Sequence, residues 1–242
     1  MPRRRYGLDQ SGETHSLLNK KHETRNTMAG KIKEATTTEI MSPAAMMIEP
    51  SDIEIPRINV VQKTSEIDAP FGSIVLDKQF VIAEAETDPE NSLKAVPVSV
   101  MKGWREDIPY DDDEVPRIAN SQEERDQIAK SSDYPMLEFA DITLAIAKPE
   151  DTSVDHAFPF PIGDEFFALG RINVAKDAYR QTFKRLATFT LFNPDTPAFM
   201  RYWDFTSALI SRGKYSWYAP SLTFTEKETS EAVQKFANNF SR

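Results

Sequence analysis

The sequence contains no cysteine and only three histidines in 242 residues. Without a thiol there is no disulfide, no thiolate metal site and no cysteine nucleophile. An enzyme would need a nucleophile with its base, a carboxylate pair or a metal cluster. Two of the histidines, His15 and His22, lie in a polar N-terminal stretch, and His156 precedes Phe158-Pro159-Phe160-Pro161 in what reads as a loop. Glycine is scarce, at eight residues, and none has the G-x-G-x-x-G or Walker spacing that cradles a phosphate. There is no internal repeat. No apolar run approaches the roughly 20 residues of a membrane span, and the arginines after Met1 are not followed by the apolar stretch of a secretory signal. These absences point to a protein of the cytoplasm that is no enzyme, needs no cofactor or metal and has no membrane as partner.

What is present begins with an uneven distribution of residue types. Residues 1–50 carry basic pairs, Ser, Thr, Met and Ala with almost no aromatic side chain, too little apolar surface to offset the entropy of ordering. They are expected to form a disordered basic tail, in which Met28-Ala29-Gly30-Lys31 reads as a second start of the chain. Residues 51–242 have the apolar content for a single domain. From Arg57 onward the pattern is that of strands: Ile58, Val60 and Val61, then Ile74 to Leu76 and Phe80 to Ile82 around a turn at Asp77-Lys78-Gln79. Val96, Val98 and Val100 alternate with Pro97, Ser99 and Met101, and Pro97 predicts an edge strand, or the start of one. In Leu137 to Ala147 the apolar phase shifts, which predicts a strand with a bulge near Ala140-Asp141. Between these strands lies a polar insertion over about 104–135, with a short helix from Ser121 to Lys130 whose Ser121 and Glu124 have capping-box spacing.

The second half changes period. Over 174–188, Ala178, Tyr179, Thr182, Phe183 and Leu186 fall on one helical face, with Lys176, Arg180 and Lys184 opposite. Residues 199–209 and 214–224 alternate around Ser211-Arg212-Gly213-Lys214, the signature of a hairpin. A helix over 226–240 follows, with Thr225 and Glu228 spaced as a capping box and Val233, Phe236, Ala237 and Phe240 on one stripe that packs on the sheet. The fold class is therefore mainly β with inserted helices and a C-terminal helix, α+β overall.

The net charge of −9 opposes a polyanionic partner until its distribution is considered. Residues 106–155 hold fifteen acidic and four basic side chains, so the insertion and its flanks carry more than the whole negative excess. Its run Asp111-Asp112-Asp113-Glu114 lacks the alternating ligands and turn glycine of a calcium loop and reads as a solvated surface. Residues 171–218 are the counterpart, with eight cations against three acids and eleven of the 25 aromatic side chains. Cations follow backbone phosphates and flat rings stack on unpaired bases, so this mixture suits single-stranded nucleic acid, DNA or RNA. The candidate binding residues are Lys176, Arg180, Lys184, Arg185, Arg201, Tyr202, Arg212, Lys214, Tyr215, Trp217 and Tyr218, with Lys102, Trp104 and Arg105 at the end of an earlier strand. Trp104 reads equally as a core plug or a stacking platform. Tyr215 and Trp217 share one face of their strand and Tyr218 takes the other, so either face is a candidate for contact with the ligand.

Pro56-Arg57-Ile58-Asn59-Val60-Val61-Gln62, the Phe71-Gly72-Ser73 entry to the next strand and the late Gly213-Lys214-Tyr215-Ser216-Trp217-Tyr218-Ala219-Pro220 strand give a layout over about 56–224 that resembles phage-encoded single-stranded DNA-binding proteins. The resemblance implies an OB-like β-barrel of five strands, no cofactor, and a role in replication or recombination in the host cytoplasm. Many such proteins end in an acidic tail that recruits replication proteins, whereas this one ends Asn238-Asn239-Phe240-Ser241-Arg242. Its acidic stretch is internal, and replication partners are expected there. The alternative is a virion structural or assembly protein whose basic arm contacts genome or a neighbouring subunit.

Overall fold

The computed structural model describes residues 54–85, 92–109 and 111–240. The expected disordered tail, with Met28, lies outside them. A small antiparallel sheet comes first, from β1 (Ile58–Val60), β2 (Ile74–Leu76) and β3 (Phe80–Ala83). The β2–β3 turn uses Asp77 and Lys78 at φ 52° and 57°, the left-handed pair that matches the twist of a tight hairpin. A large antiparallel sheet is built from β4 (Leu93–Glu106), β5 (Ile118–Ala119), β6 (Met136–Ala147), β7 (Phe160–Ile162), β8 (Glu165–Ala175), β9 (Arg201–Arg212) and β10 (Tyr215–Glu228). Its order is β10-β9-β4-β6-β8-β7, with β5 added to β4. Helices are α1 (Gln122–Ser131), α2 (Lys176–Gln181), α3 (Phe183–Phe192) and α4 (Glu231–Phe240). The mainly β, α+β architecture with a C-terminal helix is the expected one.

Each face of the large sheet carries a buried cluster. On one, Leu93, Ile142, Leu144, Ile146, Trp203 and Phe205 pack with Ile58 and Leu76 of the small sheet and with Tyr179 and Leu186 of α2 and α3. On the other, Val96, Val98, Phe167, Leu169 and Tyr202 are covered by Val233 and Ala237 of α4. Each aliphatic side chain so buried stabilises by about 1.5–3 kcal/mol.

Among the described residues the hydrogen-bond ladder does not close into a barrel, but β1 spans the gap between β8 and β10. Arg57 forms a parallel bridge with Arg171 of β8, whose N–H donates to the Pro56 carbonyl at 2.8 Å. On the other side the Gln62 amide acts as a substitute strand, with Nε2 donating to the Tyr218 carbonyl (2.8 Å) and Oε1 accepting from the Tyr218 N–H (3.2 Å). Gly170 makes the β8 contact possible, because a Cβ there would lie 2.5 Å from Cγ1 of Ile58.

Several expectations need correction. β4 is a central strand: it pairs with β6 along its length, with β9 at Leu93–Ala95 and with β5 at Trp104–Arg105. Pro97 falls between the β9 and β5 pairings and at the bulge of the β4–β6 ladder, a position at which a strand proline is tolerated. The bulge is on β4, between Pro97 and Ser99, and β6 pairs with β8 without a register shift. The phase shift in β6 arises because both of its faces are buried, Ala140, Ile142, Leu144 and Ile146 on one and Phe139, Ala145 and Ala147 on the other.

The single helix expected over 174–188 is two. Thr182 leaves the helical region (φ −119°, ψ −81°) and its hydroxyl donates back to the Ala178 carbonyl at 2.6 Å, a bond that bends helices. The last helix begins at Glu231 because β10 continues to Glu228. Thr225 donates instead to the Tyr202 carbonyl (2.6 Å), and Ser230 caps the helix by accepting from the Val233 N–H (3.4 Å). The α1 cap is as expected, with the Glu124 N–H donating to Ser121 Oγ at 3.2 Å and the Asn120 N–H donating to Glu124 Oε2 at 2.8 Å. β4 also runs further than expected, so the polar insertion starts after Glu106.

Candidate nucleic-acid interface

The cationic helices lie beside β10, the edge strand of the large sheet. Lys176 takes a left-handed conformation (φ 52°), which lets β8 pass into α2 without a loop. α3 is anchored by Arg185, whose Nη1 donates to Ser221 Oγ (2.9 Å), the Leu222 carbonyl (3.0 Å) and Thr223 Oγ1 (3.1 Å), while Nη2 donates to Gln181 Oε1 (2.5 Å). The edge strand thus has an acceptor satisfied by a charged donor, one way of keeping it from pairing elsewhere.

Between α2–α3 and the end of β10 runs an open groove of about 700 Å³, lined by Arg180, Lys184, Arg185, Thr188, Asn193, Thr223 and the rings of Phe189, Trp203 and Phe224. Trp203 is buried, and its indole N–H donates to the Ala198 carbonyl at 3.0 Å. Phe189 meets Trp203 edge-on, with centroids 5.3 Å apart, and stacks on Phe224 at 5.0 Å. Phe224 stays 44% exposed, so the groove offers an aromatic surface beside three cations. Arg180 and Lys184 are exposed. Among the described residues Lys184 forms no salt bridge, and its Nζ lies 6.0 Å from the Tyr179 ring.

The hairpin tip adjoins this groove through α2. Gly213 supplies the turn at φ 60°, and Arg212 Nη2 donates to Asp177 Oδ1 at 2.6 Å. Arg212 also lies over Trp217 (5.8 Å) and Lys214 over Tyr215 (5.3 Å). Tyr215 is 66% exposed and Trp217 is half-buried. Tyr218 faces the other way, with its ring edge-on to Phe71 at 4.7 Å and its backbone bonded to Gln62. The structure therefore places Tyr215 and Trp217 on the outward side of the hairpin and Tyr218 against the small sheet.

The remaining candidates are dispersed. Trp104 is half-buried between Lys102 (4.8 Å) and Arg125 (5.7 Å), and Lys102 is neutralised by Glu138 at 2.6 Å. Arg105 alternates to the opposite face, over Phe139 at 5.8 Å, and Lys176 is paired with Asp107 at 3.0 Å. Arg201 is bound to the Glu226 carbonyl and the Glu228 carboxylate, both at 2.9 Å. Tyr202 is 1% exposed, so it has no face to give a base; its hydroxyl donates to Glu165 Oε2 at 2.6 Å, and burial pushes its pKa up. Conversely, Phe189 and Phe224 were not among the candidates. Each carries a core signature in sequence, Phe189 three residues after buried Leu186 and Phe224 two after buried Leu222, and only the packing of α3 on β10 shows them at a groove.

Around the acidic insertion, Glu106 is buried and bound by the Arg117 guanidinium, the Ser132 hydroxyl and the Arg117 N–H, which hold its carboxyl at about 2. Tyr134 donates to Asp112 and is pushed up to about 12. His156 is exposed and edge-on to Phe80 at 4.8 Å. Among the described residues no group of three or more His, Cys, Asp or Glu side chains is placed to hold a metal ion, and no helix is long and apolar enough to cross a membrane. The chain matches no protein-family model, no curated protein and no solved structure.

Proposed function

We propose that this protein binds single-stranded nucleic acid, DNA in the first place, without sequence preference and without catalysing a reaction on it. The observation that carries the reading is the groove in which Arg180, Lys184 and Arg185 stand beside the exposed ring of Phe224. Arg180 and Lys184 meet backbone phosphates while Arg185, bound to β10, adds its charge to the groove wall, and a ring stacks only on a base with an open π-face, which a single strand has and a duplex withholds. Neutral groups able to read base edges are few. Thr188, Asn193 and Thr223 line the groove; the Asn193 amide already donates to the Phe189 carbonyl at 2.9 Å and the Thr223 hydroxyl oxygen already accepts from Arg185 at 3.1 Å. Such a protein covers single strands during replication or recombination, and the exposed acidic insertion is the surface for replication partners. The reading agrees with the resemblance to phage single-stranded DNA-binding proteins and their OB-like barrel. The virion alternative rests on the basic arm, which lies outside the described residues.

Fluorescence anisotropy of a labelled oligonucleotide tests the proposal. Phe224→Ala should weaken single-strand binding by about 1–3 kcal/mol, the worth of one stacked base. Lys184→Ala should lower the slope of log K against log salt by about 0.7, the share of one phosphate on a single strand. If neither variant binds differently from the parent, the groove is not the site.

A further inference from the structure

The geometry points to a two-arginine clamp, made by Arg180 and Arg212, that holds one backbone phosphate and joins the groove to the hairpin tip in a single binding track. The inference rests on the binding reading above. Arg180 belongs to α2 and lines the groove; Arg212 ends β9 at the hairpin tip and lies over Trp217. Both converge on one atom, Asp177 Oδ1, at 3.9 Å from Arg180 Nη1 and 2.6 Å from Arg212 Nη2. The Asp177 side chain is 13% exposed, whereas those of Arg180 and Arg212 are 67% and 60% exposed. The carboxylate therefore lies beneath and the two guanidinium groups stand above it in solvent.

Like charges from separate elements do not approach so closely without a counter-ion, and Asp177 supplies it from below. A guanidinium has five N–H donors in a planar fork. Among the described residues only one of these donors, on Arg212, makes a hydrogen bond, leaving the outward edges of both forks for an anion. A phosphodiester has the size, charge and paired oxygens that such forks bind. Asp177 is thus a positioning residue: it sets the spacing of the two arginines and fixes the hairpin to α2. Phe224 and the pair Trp217 and Tyr215 lie on opposite faces of β10, so a strand whose bases stack at Phe224 would reach Trp217 and Tyr215 by crossing the edge of β10 at this point.

The test is a double-mutant cycle on the salt dependence of binding to an oligothymidylate. Arg180→Ala and Arg212→Ala should each lower the slope of log K against log salt by about 0.7, and the double variant by the same 0.7 in all, because one phosphate is lost once. Arg212→Ala combined with Lys184→Ala should lower it by about 1.4, because these touch different phosphates. Additive losses in the Arg180–Arg212 pair, or unchanged slopes in both single variants, overturn the clamp while leaving the groove reading intact. A parent protein with no salt-dependent single-strand binding overturns both. Arg180→Ala leaves the Arg212–Asp177 pair in place, so its slope remains interpretable if Arg212→Ala lowers the melting temperature.

Discussion

Lys184 and Arg185 are neighbours on α3 with the same charge, yet their surroundings give them different roles. Lys184 extends into the groove, while Arg185 makes four hydrogen bonds, three of them to β10. Arg185→Ala should therefore cost stability, about 1–3 kcal/mol by denaturant titration, because it leaves the Leu222 carbonyl unpaired and detaches α3. Glu106 provides a residue-scale test of the insertion. Its carboxyl is held at about 2, below the ordinary 4.5, first by the Arg117 side chain and then by Ser132 and the Arg117 N–H. A depressed carboxylate stabilises the fold fully above its unfolded value, and that contribution disappears as the pH falls through the folded one. Thermal unfolding should show stability falling from about pH 4.5 towards pH 2, and Glu106→Gln should be less stable than the parent at neutral pH with a flatter profile in that window. An identical acid profile for the two proteins would show that Glu106 is not held as described.

At the scale of elements, the seating of β1 on β8 depends on one missing side chain. Gly170→Val should force Ile58 and Leu76 away, since even a Cβ would come within 2.5 Å and 2.9 Å of them, and overpacking of this kind costs about 1–3 kcal/mol. A melting temperature equal to the parent's would mean that the small sheet is not docked there. Local patterns announced the terminal hairpin, the Asp77-Lys78 turn, the Ser121 cap and the apolar stripe of α4, because each is set by residues within a few positions of one another. What the sequence concealed depends on distant partners. Pro97 reads as an edge residue until the gap between β9 and β5 is seen, and the phase change in β6 reads as a bulge until both faces prove buried. The same holds for the site: the cations Arg180, Lys184 and Arg185 stood out by charge, whereas Phe189 and Phe224 became candidates only through the α3–β10 contact. Tyr202 looked like a stacking ring because nothing local reveals that α4 covers its face of the sheet.

At the scale of the whole molecule, a chain of net charge −9 can bind a polyanion only if its charges are segregated. The fifteen acids of residues 106–155 and the eight cations of 171–218 achieve this along the sequence. The described contacts keep Arg180, Lys184 and Lys214 largely in solvent while pairing Lys102 with Glu138 and Lys176 with Asp107. The acidic region thus takes up Lys102 and Lys176, while Arg180 and Lys184 remain exposed, the arrangement that the proposed binding of a polyanion requires. The central claim is binding of single strands through phosphates and stacked bases, and a salt series on matched single-stranded and duplex oligonucleotides tests it most directly. The account predicts tighter binding of the single strand at every salt concentration and a linear fall of log K with log salt, by about 0.7 per phosphate neutralised. Equal affinity for the duplex, or an affinity that does not change with salt, would contradict it.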